Sequence, residues 1–331
     1  MLFVLRKIKG KAYGVIFNRS SIGEILTVLH SLSVHLRFSF SERKSELDKE
    51  QLEYYIVKHC HIVEKGLALP FPRKGFGQPK ILDLIARTHA YEKHYSNSQI
   101  SLMVRDTLRE YLGFHAEDLQ LLPDTFLETI RSFLEEKPAQ GKGGLKNLKK
   151  SEMNVFGGES FERFLKCRHS IRNFSGVPVS DEVIMKALAI SQNTPSVCNR
   201  QGWFVHYYKD KKKINELLSF QNGNAGFTES IDKLLIVTAS TKAFTRNEHN
   251  QLFIDGGLYS MNLMLSLHSV GLGSCPLNTC MPWFKAKRLK RAADISQHER
   301  VIMMVAVGNL QDEFSVAQSE KYALEKTLRL H

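Results

Sequence analysis

Residues 251 to 270, QLFIDGGLYSMNLMLSLHSV, carry apolar side chains on almost every face of a helix. A helix of that kind needs other elements, or a second subunit, around it. It must therefore be central or lie at a subunit interface. Gly256 and Gly257 weaken it by about 1 kcal/mol each relative to alanine, which predicts a close approach there by another backbone or by a ligand. The surroundings are legible on both sides. WFVHYY (203–208), KLLIVTA (233–239) and RVIMMVAVG (300–308) read as buried strands, and 181–192 repeats at helical spacing. Strands alternating with helices predict an α/β or α+β sandwich for the second half.

The first half has a different texture. Residues 22–38 place Ile25, Leu29, Leu32 and Leu36 on one helical side. A core helix is expected there, with contact at a membrane surface beside the basic N-terminus as the lesser alternative. Residues 45–66 form a second helix: Ser45 and Asp48 resemble a capping box, Leu52, Tyr55, Ile56, His59 and Val63 form the stripe, and Gly66 supplies the stop. Helical patterns follow at 79–95, 98–112 and 124–136. His59, His61 and Glu64 have metal-ligand chemistry, but i and i+2 diverge on a helix, so one core-facing and one exposed histidine are expected. PAQGKGGLKNLKKSE (138–152) has four lysines, much glycine and no apolar period. It reads as a basic flexible linker between a mainly helical domain, 1–137, and a second domain, 153–331.

Charge narrows the partners. The net +12 is spread over both halves, and the runs KDKKK (209–213) and KAKRLKR (285–291) sit beside apolar segments. Solvated faces or helix ends explain them. Without interleaved aromatics or a recognisable module, no nucleic-acid partner is expected. Five cysteines without a C-x-x-C pair fit a reducing compartment. The apolar-then-basic order of the first residues is the reverse of a secretory signal, so a cytoplasmic location is expected.

Four segments of the second half carry chemistry. In RHSIRNF, Arg168, Ser170 and Arg172 alternate and so point to one side of an extended chain, about 6 to 7 Å apart. Two cations and a hydroxyl in that array suit a long ligand with a phosphate at one end. NTPSVCNRQGW (193–203) offers donors for a planar heterocycle. HSVGLGSCPLNT (268–279) ends a helix and runs on extended past Pro276, and VAQSEKYALEK (316–326) follows the last strand.

In this order and spacing, the four segments resemble the nitroreductase family of FMN-dependent oxidoreductases over about residues 161–331. RHSIRNF is similar to its R-x-S-x-R signature, and TPSVCNRQGW to its P-S-x-x-N-x-Q-P-W loop. FIDGGLYSMNLMLSLHSVGLGSCPLNT is similar to its central helix and glycine-rich turn, and SEK to its closing basic segment. The resemblance implies an α+β fold, a nitroreductase-like α/β sandwich behind the helical N-terminal domain. It implies FMN as cofactor, NAD(P)H as electron donor, a nitro compound or quinone as small-molecule acceptor, and a homodimer with flavin at the interface. It would place Arg168 and Ser170 at the FMN phosphate and ribityl end and Arg172 by the pyrimidine edge. Backbone groups of Leu277 and Asn278 would lie by the hydride-accepting nitrogen, Lys321 at the phosphate, and Ser196 and Asn199 at the partner's flavin. No residue is assigned as general acid, and no metal is implied. Gly202 stands where proline is usual, which predicts a looser loop. HCHIVEKGLALPFPRKGFG (59–77) is similar to an extension on some nitroreductase-like proteins linked to surface-polysaccharide synthesis. A flavin-binding scaffold without turnover is therefore the alternative.

Overall fold

The computed structural model describes residues 21–41, 47–95, 99–135, 138–147, 157–317, 321 and 323–331. The first half contains helices α1 (Ser21–Phe38), α2 (Lys49–Leu67), α3 (Gln78–His94), α4 (Gln99–Phe114) and α5 (Asp124–Glu135). Helices α2 to α5 share a core that includes Leu52, Ile56, Ile81, Leu84, Leu108 and Phe133. Burying such side chains contributes about 1.5 to 3 kcal/mol each. Arg105 is buried inside this bundle, paired at 2.8 Å with Glu92 and lying over the Phe133 ring. Asp48 is the N-cap of α2, in a capping box with Gln51; Ser45 lies outside the described residues. Gly66 does not stop the helix. It lies within the last turn, where an added Cβ would sit 2.3 Å from the Phe76 ring. His59 is buried, with Nδ1 at 2.9 Å from the Tyr55 carbonyl, and His61 stands 3.6 Å from Glu64.

The first part of the expected linker is held against the bundle. Asp106 accepts from the backbone N–H groups of Gln140 and Lys142, and Glu64 and Thr107 accept from that of Gly144. Gly143 has to be glycine: its Cβ would lie 2.2 Å from the Met103 carbonyl oxygen. Residues 148–152 of that linker fall outside the described ones.

Helix α1 departs from the expected core stripe, because Ile25, Leu29, Leu32 and Leu36 are exposed. Its other face carries the groups that find partners in the second half. Ser31 accepts from Arg300 at 2.8 Å, and the His35 ring meets the Arg246 carbonyl at 3.1 Å. Among the described residues, no helix is long and apolar enough to cross a membrane.

The second half contains α6 (Glu159–Cys167), α7 (Asp181–Ser191), β1 (Trp203–Tyr208), α8 (Lys211–Leu218), β2 (Lys233–Ser240), α9 (Gln251–Ser269), β3 (Leu272–Leu277), α10 (Trp283–Ala292), β4 (Glu299–Asn309) and α11 (Leu324–Thr327). The four strands form an antiparallel sheet in the order β1-β2-β4-β3. Alternate residues of a strand face opposite sides, and here both sides are covered. Leu235, Val237 and Val305 meet Tyr259, Leu263 and Leu267 of α9; Leu234, Ile236 and Met304 meet Leu217 of α8 and Leu289 of α10. That explains why β2 reads as an unbroken apolar run although its neighbours are antiparallel. Within the basic run at 285–291 of α10, Lys287, Arg288 and Arg291 are exposed, Lys290 is half-buried and Leu289 is buried beneath them. A bulge between Val237 and Thr238 skips Ile302 in the ladder, and the Ile302 side chain fills the place where a Cβ on Gly256 would sit, 2.6 Å away. The close approach expected at Gly256 is thus to this side chain. The fold is α+β, with a mainly helical region preceding the sandwich.

Candidate active site

Beyond α6 the chain is extended and runs beside β3. Ser170 bridges Ser274 in parallel, and the Ile171 N–H donates to the Ser274 carbonyl at 2.9 Å. Ile171 and Phe174 turn into the core, where Phe174 lies on Gly308; a Cβ there would be 2.6 Å from the ring. That packing fixes the segment and leaves Arg168, Ser170 and Arg172 out of the core. Arg168 Nη1 is buried with no hydrogen-bond partner among the described residues. A buried donor left unmade costs about 1 to 3 kcal/mol, so an acceptor is called for. The electrostatics agree. Burial lowers the His268 imidazole's proton affinity, and Arg168 and His169 lower it further. Burial pushes the Cys275 thiol up, against the pull of Arg172 and Arg168. Three cationic or protonatable groups, Arg168, His169 and Arg172, therefore share one region beside β3 and the end of α9.

At the exit of β3, Leu277 is buried and Asn278 exposed. The Asn278 carbonyl accepts from Gln221 Nε2, while Gln221 Oε1 accepts from the N–H groups of Asn222 and Gly223. One glutamine, absent from any motif, thus ties the 221–223 turn to the strand exit. Asn224 is a turn residue, buried and bonded to Thr228 and the Leu218 carbonyl. Lys321 is exposed, and its neighbours 318–320 and 322 lie outside the described residues.

Ser196 and Asn199 sit elsewhere. Their loop feeds β1, at the sheet edge opposite β3. Three strand spacings separate those edges, roughly 14 Å. One chain does not bring these two residues to Arg168. The loop itself is tightly held in an unusual shape. Cys198, Asn199 and Gln201 are left-handed, with φ of 49°, 52° and 50°. Such non-glycine positions cost of order 1 kcal/mol or more each and persist only where surroundings impose them. Here Arg200, 2 % exposed, sends its guanidinium to both Glu248 oxygens at 2.7 and 2.9 Å and to the Ala243 carbonyl at 2.7 Å. Burial alone would raise the Glu248 carboxyl; bonds from Arg200 and Thr245 override it and bring it down to about 2. Asp255 accepts from the Val197 N–H at 3.2 Å and from Gln251 at 2.8 Å. Ser196 Oγ accepts from the Gln201 N–H at 2.9 Å. Gly202, where proline is usual, lies close against Ala243: a Cβ there would be 2.5 Å from that of Ala243.

The N-terminal half reaches this loop. Helix α2 packs on Val197–Asn199 and on Thr241–Ala243, and its Glu50 accepts from Ser240 Oγ at 3.0 Å and pairs with Lys242 at 3.2 Å.

Residues 165–223 and 216–309 match the Nitroreductase family model. A curated protein of Archaeoglobus fulgidus carrying the name NADH dehydrogenase/NAD(P)H nitroreductase is 25% identical over 154 residues, 46% of this chain and 86% of that protein. Among solved structures, an FMN-dependent nitroreductase from Clostridium difficile is 21% identical, covers 50% of this chain and 96% of its own, and has a TM-score of 0.44. A nitroreductase-type protein from Desulfovibrio desulfuricans, solved in complex with FMN, is 19% identical, covers 53% and 98%, and has a TM-score of 0.47. Within the C-terminal half, residues 165–309 thus match the nitroreductase family, and the helical N-terminal region lies outside that match.

Proposed function

We propose that the C-terminal domain is an FMN-dependent oxidoreductase that takes electrons from NAD(P)H and passes them to an electrophilic organic acceptor of nitro or quinone type. The observation that carries this reading is Nη1 of Arg168, buried and without a hydrogen-bond partner among the described residues, beside Arg172 and β3. A phosphate is the acceptor such a donor lacks, and charge-assisted bonds of this kind are the stronger ones. Bound there, FMN would supply two-electron transfer between donor and acceptor. The chain's own residues supply position and charge. Arg168 and Ser170 hold the phosphate and ribityl end, Lys321 adds a second cation, and Arg172 faces the pyrimidine edge. Leu277 and Asn278 present backbone at the other edge, with Gln221 fixing the strand exit. The names of the relatives, including the nicotinamide donor in one and FMN in another, support the same reading.

A second subunit completes the site. Ser196 and Asn199 reach a flavin only across an interface, since their own Arg168 lies at the far sheet edge. Helix α9 offers the surface: Ile254, Leu258 and Met261 are exposed on one face, with nothing within 4 Å of a Cβ at Gly257 between them. Sedimentation of the full chain at micromolar concentration is expected to show a dimer. An FMN-loaded monomer would contradict the shared site. Acceptor-dependent NAD(P)H oxidation by the same sample tests turnover, and its absence from an FMN-loaded dimer would favour the scaffold reading.

A further inference from the structure

Helices α1 and α10 face each other across a cavity of about 440 Å³, within the size range of small-molecule sites. One wall is Thr279, Cys280 and Met281, directly after Asn278. Arg37, Lys287, Lys290, Arg291 and Arg300 also line it, against a single carboxylate, Glu299. That carboxylate is already taken by His206 at 2.6 Å, by Thr238 and by the Ser296 N–H. None of the five cations has a carboxylate partner among the described residues. Lys290 Nζ donates to the carbonyls of Gln297 and Glu299, and Arg300 to Ser31. Burial first, and then Arg300, bring Lys290 down to about 8 against the opposing pull of Glu299, and burial, Arg300 and Lys287 lower His30. Crowding like charges around a hollow raises the free energy of the empty protein, and an anion placed there lowers it. The cavity also has a flat apolar surface, the half-exposed Trp283, whose ring centroid is 5.4 Å from that of His30. A bare inorganic anion would leave that surface unused.

We propose that this cavity is a binding site for a planar aromatic carboxylate, its ring against Trp283 and its charge toward Lys287, Arg291 and Arg300. The site is built jointly by the N-terminal helix and the C-terminal domain, and it opens beside the strand exit assigned to the flavin. The binding claim itself does not depend on the flavin. The test is calorimetric titration of the full chain with 2-naphthoate, with neutral 2-naphthylmethanol and with inorganic phosphate. Naphthoate is expected to bind about tenfold or more tightly than either of the others. The doubly charge-reversed variant Lys287→Glu/Arg291→Glu changes two exposed side chains and relieves the crowding of like charge, so it is expected to melt no lower than the native protein and to keep its flavin content. It should bind naphthoate at least about tenfold more weakly, as expected when charge complementarity is inverted. Trp283→Leu should weaken naphthoate while leaving phosphate unchanged. Equal affinity for naphthoate and the alcohol, phosphate binding as tight as naphthoate, or undiminished naphthoate binding in the charge-reversed variant would each overturn the proposal. A flavin-free full chain would count against the proposed function and still give a readable titration here.

Discussion

Arg168→Ala is expected to lower FMN affinity about tenfold or more, because a charge-assisted contact to phosphate contributes about 1.5 to 3 kcal/mol. The same substitution should not destabilise the flavin-free protein. Arg168 Nη1 is a buried donor without an acceptor among the described residues, so its removal is expected to relieve a cost. A purely structural arginine would behave in the opposite way, losing melting temperature without losing flavin. Flavin fluorescence titration together with thermal melting of the apoprotein separates the two. Unchanged FMN affinity in this variant would remove the basis for placing a phosphate beside β3.

Glu248→Gln is expected to destabilise the folded protein by about 3 kcal/mol, the scale seen when one partner of a buried ion pair is removed. It leaves the Arg200 guanidinium buried and facing a neutral amide. The pH dependence gives this prediction a sign. The folded carboxyl lies near 2, below its ordinary 4.5, so the pair's contribution is fully present above about 4.5 and is lost as pH falls toward 2. The stability gap between native protein and variant should therefore be widest near neutral pH and close on acidification. Denaturant melts between pH 7 and 3 measure it, and a gap independent of pH would mean that the charge on Glu248 does not anchor the loop. Flavin retention should fall as well, since three left-handed residues beside Arg200 depend on that anchor for their shape.

What was legible in the sequence follows from how local each signal is. Period-two and period-3.6 apolar patterns depend only on neighbouring residues, so β1, β2, β4, α7 and α9 stand within a residue or two of where the pattern puts them. Helices α8 and α10 were hidden because their basic outer faces dominate the composition, while Leu217 and Leu289 are buried beneath. The alternation of Arg168, Ser170 and Arg172 marked an extended segment; its pairing with β3 is a contact across a hundred residues that no local pattern encodes. Nor does any local pattern encode the contacts of Arg200 with Glu248, 48 residues apart, or of Gln221 with Asn278, 57 residues apart. In NTPSVCNRQGW nothing marks Arg200 as buried, because a surface arginine and a buried one look alike in sequence until the partner is known. For α1, the amphipathic pattern marks the helix correctly but not its face: polar Ser31 and His35 have partners on the domain, while Leu29, Leu32 and Leu36 are exposed.

If FMN is held at the Arg168 region, the visible spectrum of the purified chain shows it. After saturation with FMN and removal of the excess, flavin absorption is expected in the protein fraction. Heating should then release FMN close to one per chain. A protein that folds as a dimer, yet retains neither FMN nor any other flavin at micromolar concentrations, would contradict it.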